Sequence, residues 1–163
     1  MEKRGIKLQM KRLFPTCGTP IIISPPGRPR GTRIVTGVVA SSQTGEIIST
    51  LGIIDLASGI VTETPGVRDI KPWLPAWSPQ ADKIVFVSDY DGNDIWTVNV
   101  DGSELKRLTH TKNAWEPDWT PEGTHIVYSQ REDDLQTIYI MAADGANKRT
   151  LFQPQFLAGH PRM

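Results

Sequence analysis

The sequence predicts an all-β chain, a partial β-propeller built of four-stranded antiparallel blades. Three observations predict it. The chain has 163 residues, of which 38% are apolar, and 14 glycines and 13 prolines punctuate it. That spacing favours many short elements over long helices. A motif of about a dozen residues recurs 42 positions apart, the length of one propeller blade. Within each repeat, four segments rich in Val, Ile, Thr and aromatic residues alternate with turn signals.

The repeat reads directly. Pro75-Ala76-Trp77-Ser78-Pro79 precedes Ile84-Val85-Phe86, and Pro117-Asp118-Trp119-Thr120-Pro121 precedes Ile126-Val127-Tyr128. Farther on, Ile95-Trp96 is answered by Ile138-Tyr139, Asp101-Gly102 by Asp144-Gly145, and Leu108 by Leu151, now at a spacing of 43. One residue has therefore entered the intervening turn. In the first of these units, strands are expected near 73–78, 83–88, 94–100 and 104–109. In the second they are expected near 115–120, 125–130, 137–142 and 147–152. The Ser-Pro and Thr-Pro segments read as tight turns, because proline fixes φ and Gly123 accepts a positive one. The two Asp-Gly dipeptides suit two-residue hairpin loops.

A looser unit comes earlier. Ser24-Pro25-Pro26-Gly27 echoes the Ser-Pro turn, Arg33-Ile34-Val35 echoes Lys83-Ile84-Val85, and Ile53-Ile54-Asp55 echoes the third strand. This unit is ten residues longer, and the excess is assigned to Gly27–Thr32 and the Ser41–Glu46 turn. The resulting division is a basic tail at 1–18, a divergent first blade at 19–68, a second at 69–110 and a third at 111–152. Residues 153–163 read as the start of a truncated fourth blade, since Pro161-Arg162-Met163 falls where a first strand would begin.

These motifs resemble the WD40-like Tol repeat of TolB-type propellers, clearly over 73–152 and weakly over 19–65. The resemblance implies a non-enzymatic scaffold that mediates protein–protein contacts, as in the Tol-Pal cell-envelope system, and leans toward a periplasmic setting. The alternative is the propeller portion of a prolyl-oligopeptidase or tricorn-like peptidase lacking its catalytic domain. The α/β domain that precedes the propeller in TolB is not visible in this sequence, and neither is a signal peptide.

Composition narrows the function further. Eighteen basic residues balance eighteen acidic ones, so no excess of positive charge points to nucleic acid. The basic cluster at Lys3, Arg4, Lys7, Lys11 and Arg12 reads as a solvated tail. No apolar run reaches the ~18 residues of a membrane span. A single cysteine, Cys17, allows neither an intrachain disulfide nor a cysteine metal site. The segment Asp89-Tyr90-Asp91-Gly92-Asn93-Asp94 opens like a calcium loop, but Val100 stands where the bidentate Glu belongs, so a plain hairpin turn is expected. His110, His125 and His160 have neither a nucleophile elbow to serve nor zinc spacing between them. No catalytic residue, cofactor or metal is therefore expected.

Trp77 and Trp119 are expected to pack between neighbouring blades. Trp73 and Trp115, placed just before the innermost strands and nearer the rim, are the candidates for a partner-binding face. Three blades cannot close a ring of four to eight. Self-association is therefore expected, and two copies would supply six blades.

Overall fold

A computed structural model describes residues 32–41, 47–132 and 135–154. The 1–18 tail with Cys17, the Ser24-Pro25-Pro26-Gly27 turn and His160 lie outside the described residues. So does the expected fourth-blade start, apart from Gln153 and Pro154.

The described chain forms three antiparallel sheets in sequence order. The first comprises β1 (Arg33–Ser41), β2 (Ile47–Asp55) and β3 (Val61–Glu63). The second comprises β4 (Pro72–Trp77), β5 (Lys83–Ser88), β6 (Asp94–Asn99) and β7 (Lys106–Arg107). The third comprises β8 (Ala114–Trp119), β9 (His125–Glu132), β10 (Leu135–Ala142) and β11 (Arg149–Phe152). In each sheet the strands pair in chain order, as in a propeller blade. The helical structure among the described residues is a single 3-10 turn at Arg68–Ile70. The strands of the second and third sheets fall within about two residues of their expected positions, the usual latitude at element ends.

Strand β5 shows how the sheets stack. Ile84, Val85, Phe86 and Val87 are all fully buried. Successive side chains on a strand point to opposite faces, so both faces of this strand must be covered. Ile84 and Phe86 pack with Val35, Leu51 and Ile53 of the first sheet. Val85 and Val87 pack with Trp119, Ile126 and Tyr128 of the third. The uninterrupted apolar run is thus the signature of a sheet held between two others. These features make the chain a partial β-propeller.

Trp77 and Trp119 both pack between neighbouring sheets, but to different depths, and two further expectations need correction. Trp119 is 8% exposed and its Nε1 donates to the Ala76 carbonyl at 3.3 Å, whereas Trp77 is half-buried, with the Arg33 guanidinium 5.5 Å from its ring centre. The Asp-Gly hairpins do not have two-residue loops. Gly102 N bonds to Asn99 O and Asn99 N to Ser103 O, both at 2.9 Å, which leaves Val100, Asp101 and Gly102 in the loop. Ala142, Gly145 and Ala146 repeat the pattern. Glycine takes the positive-φ bulge position in each, at φ 87 and 90, while the preceding aspartate accepts the N–H two residues on, at 2.9 Å in both. Finally, part of the first unit's extra length extends its strands: β1 and β2 have nine residues each, against six in β5 and β6.

Candidate functional site

The inner strands β4 and β8 carry the same irregularity. The register of β4 against β5 shifts between Trp73 and Ala76, and that of β8 against β9 shifts between Trp115 and Asp118. Leu74-Pro75 and Glu116-Pro117 therefore each oppose a single partner residue. Proline supplies no N–H to the ladder and suits a bulge, and the residue before it turns to positive φ, 46 at Leu74 and 50 at Glu116. A bulge of this kind bends its strand and re-aims the neighbouring side chains.

Trp73 and Trp115 are the side chains so placed. They lie within β4 and β8 rather than ahead of them, a correction to the expected position. Both are half-buried, and they meet edge to face, with ring centres 5.2 Å apart and planes at 87°. This is a favoured aromatic geometry, and it joins the second sheet to the third. Trp73 also packs against the core between these sheets.

Trp115 has a second neighbourhood. With Glu116, Ser129, Arg131 and Gln136 it lines an open groove of ≈ 340 Å³. The Glu116 Oε2 atom accepts long bonds from Ser129 Oγ at 3.4 Å and Gln136 Nε2 at 3.3 Å. Glu116, Arg131 and Gln136 are exposed. The groove thus offers an aromatic wall, a carboxylate, a guanidinium and an amide along one edge. Glu116, Arg131 and Gln136 were not singled out from the sequence. The available signal was the departure from the repeat, in which Glu116 replaces Leu74.

The Asp89–Asp94 segment serves another purpose. Asp94 is fully buried and accepts from Arg107 Nη2 at 2.5 Å, Thr109 Oγ1 at 2.5 Å, Thr111 N at 2.8 Å and Lys112 N at 3.2 Å. Its neighbour Asp91 is exposed and bonds to Lys112 Nζ at 2.8 Å. That hydrogen bond and charge, helped by Arg107, hold the Asp91 carboxyl below the usual carboxylate range. These groups bind the second sheet to the loop that leads into β8. Among the described residues no three His, Cys, Asp or Glu side chains converge as a metal site. His110 and His125 are exposed, and His125 Nδ1 lies 2.9 Å from Thr124 Oγ1. No helix among the described residues is long and apolar enough to cross a membrane.

No protein-family model matches the chain. The Tol-Pal system protein TolB of Anaeromyxobacter dehalogenans is 32% identical over 78 residues, which cover 47% of this chain but 18% of that relative. A solved structure assigned to TolB from Agrobacterium tumefaciens superposes with a TM-score of 0.64 and 25% identity, covering 77% of this chain and 47% of the other. The acylaminoacyl peptidase of Pyrococcus horikoshii shares the fold, with a TM-score of 0.59 at 17% identity, over 79% of this chain and 24% of that one. The chain thus spans under a fifth of the matched TolB sequence and about half of the matched TolB structure. Its repeat, its sheet order and the two TolB likenesses converge on one description, that of a TolB-like β-propeller.

Proposed function

We propose that this chain is a non-enzymatic scaffold that binds a protein partner at the corner formed by Trp73, Trp115 and the groove beside them. The observation that carries the reading is the groove itself: a half-buried tryptophan wall rimmed by exposed Glu116, Arg131 and Gln136. Tryptophan and arginine are the residues that contribute most at protein–protein contacts, and they act where a rigid aromatic anchor is ringed by polar groups. The Trp73–Trp115 contact holds that anchor in place. The likeness to a Tol-Pal system protein supports the reading.

Peptides selected for binding to the immobilised full chain provide the test. Selected binders are expected to lose about tenfold or more in affinity on Trp115→Ala, and less on Arg131→Ala, as hot-spot truncations do. Binders indifferent to both substitutions would place the contact surface elsewhere. Turnover of a peptide or ester substrate that disappears with His110→Ala or His125→Ala would overturn the non-enzymatic reading.

A further inference from the structure

The third sheet departs from its repeat at one end. In the second sheet, Leu74 on the β4 bulge and Val87 in β5 belong to the apolar packing that seals this sheet against the third. Their counterparts 42 positions on are Glu116 on the β8 bulge and Ser129 in β9. Both line the open groove beside Trp115. The same backbone frame thus presents a carboxylate and a hydroxyl where its twin presents two hydrocarbon side chains. An apolar sheet laid over this end, as the third lies over the second, would bury the carboxylate without a counter-charge, which is costly.

The Glu116 carboxylate is held only loosely by its own chain. Its Oε2 atom accepts two long bonds from neutral donors, Ser129 Oγ at 3.4 Å and Gln136 Nε2 at 3.3 Å. Among the described residues, no lysine or arginine lies within ion-pair distance of it, whereas Glu63, Asp91, Asp94 and Glu104 each have such a partner. Arg131, the cation that shares the groove, has a partner of its own. A charged donor would make shorter and stronger bonds to Glu116 than the neutral ones do. The groove encloses ≈ 340 Å³, the small end for a ligand pocket, which suits one long side chain rather than a folded element.

We infer that the groove takes an arginine side chain from an extended segment of the partner protein, its guanidinium paired with Glu116 and stacked on Trp115. This deepens the function proposed above and rests on it. A guanidinium is planar and carries five donors, so it can lie on an indole and bond a carboxylate at once. An indole is also the aromatic surface that attracts a cation best. Lysine brings a compact ammonium that cannot match both features. An acidic side chain would meet Glu116 as a like charge. The Trp73–Trp115 contact, 5.2 Å between ring centres, already holds the indole, so binding orders little on this side of the interface.

Peptides selected from a randomised library on the immobilised full chain provide the test. Those that lose affinity on Trp115→Ala should carry arginine in excess over lysine. Replacing that arginine by lysine should weaken binding about fivefold, and by glutamine about tenfold or more. Glu116→Gln should cost the arginine peptide about tenfold and the glutamine peptide little, so the cycle of the two substitutions should show a coupling of about tenfold, which a purely structural role of Glu116 would not produce. The unfolding midpoint should not move, because Glu116 is exposed. Trp115-dependent binders without arginine, or additive effects of the two substitutions, would overturn the inference and leave the proposed function standing. Binding that weakens as the protein is concentrated would assign the groove to a second copy and overturn it too. Binders indifferent to Trp115→Ala would bring down both readings. If Glu116→Gln fails to fold, the arginine excess and the lysine replacement decide on the unmodified chain, and the absence of either refutes the assignment.

Discussion

The second and third sheets are built on the same repeat, yet they are held in different ways. In the second sheet, β6 begins with Asp94, a buried carboxylate that gathers the Arg107 and Thr109 side chains and the Thr111 and Lys112 backbone. In the third sheet the matching residue is Thr137, fully buried, whose Oγ1 has no hydrogen-bond partner among the described residues. At the same offset of 43, Phe152 replaces Thr109 and Thr150 replaces Arg107, so the guanidinium is gone along with the carboxylate it meets. The third sheet relies instead on Lys148, whose Nζ lies 4.2 Å from the Tyr139 ring centre and bonds to Gln130 Oε1 at 3.0 Å. Tyr139 in turn stacks on Tyr128, 5.7 Å away. One template thus supports both a buried charge network and an exposed cation resting on aromatic rings. The network fixes the passage from one sheet to the next, which is where the second sheet's loop enters β8.

The sharpest way to break this comparison is to remove the two matched residues. Asp94→Ala leaves Arg107 without its buried partner and strips acceptors from two backbone N–H groups. The expected loss is about 3 kcal/mol, the low end for a broken buried pair because the arginine retains some access to water. Thr137→Val should change stability by less than about 0.5 kcal/mol, since replacing an unbonded hydroxyl by a methyl of the same shape is near neutral. Urea unfolding of both variants gives the two numbers. Similar losses would mean that Asp94 is not the tie described above, or that Thr137 has a partner beyond the described contacts.

A second contrast concerns coverage. Val85 is fully buried, whereas its counterpart Val127 is half-buried. Val85→Ala should cost about 2–3 kcal/mol, two lost carbons plus the cavity they leave. Val127→Ala should cost about 1 kcal/mol, because much of that surface already meets solvent. An equal cost at Val127 would show that the outer face of the third sheet is covered in solution, by another sheet or by a second copy.

How far these features can be read from sequence depends on their range. Local signals are legible. The Ser-Pro and Thr-Pro turns, the Asp-Gly hairpins and the Ile84–Val87 run place every strand of the second and third sheets. The bulges at Leu74 and Glu116 are not legible, because a proline marks an irregularity without specifying its φ. The Trp73–Trp115 contact joins residues 42 positions apart, and single-chain patterning does not show which sheet face meets which. Asp94 is hidden for a different reason. It closes a run of polar turn residues whose composition reads as solvated, and only the fold shows that the Arg107 and Thr109 side chains turn inward to meet it. The groove at Glu116 is hidden because its members come from β8, β9 and β10.

The smallest expected effect separates the two sheets at their first turns. In the second sheet Ala81 takes φ 60, and in the third Gly123 takes φ 72 at the matching position. Both turns close alike: Ala81 N bonds to Ser78 O, and Gly123 N to Thr120 O, each at 2.8 Å. The same conformation is therefore met by a residue that resists it and by one that does not. A left-handed conformation costs a non-glycine residue roughly 1–2 kcal/mol. Glycine in turn loses more freedom on folding, by roughly 0.5–1 kcal/mol relative to alanine. Ala81→Gly should therefore stabilise the chain by up to about 1 kcal/mol, the difference of these two terms. Gly123→Ala should destabilise it by more than that gain. Its new Cβ would sit 2.2 Å from Gln80 Oε1, and the Gln80 side chain must move and surrender its bond to the Glu122 carbonyl at 3.0 Å. Paired unfolding midpoints would show the two signs at once. A loss of stability in Ala81→Gly would mean that the Ala81 methyl contributes packing that outweighs its backbone strain, and that the two turns are not equivalent after all.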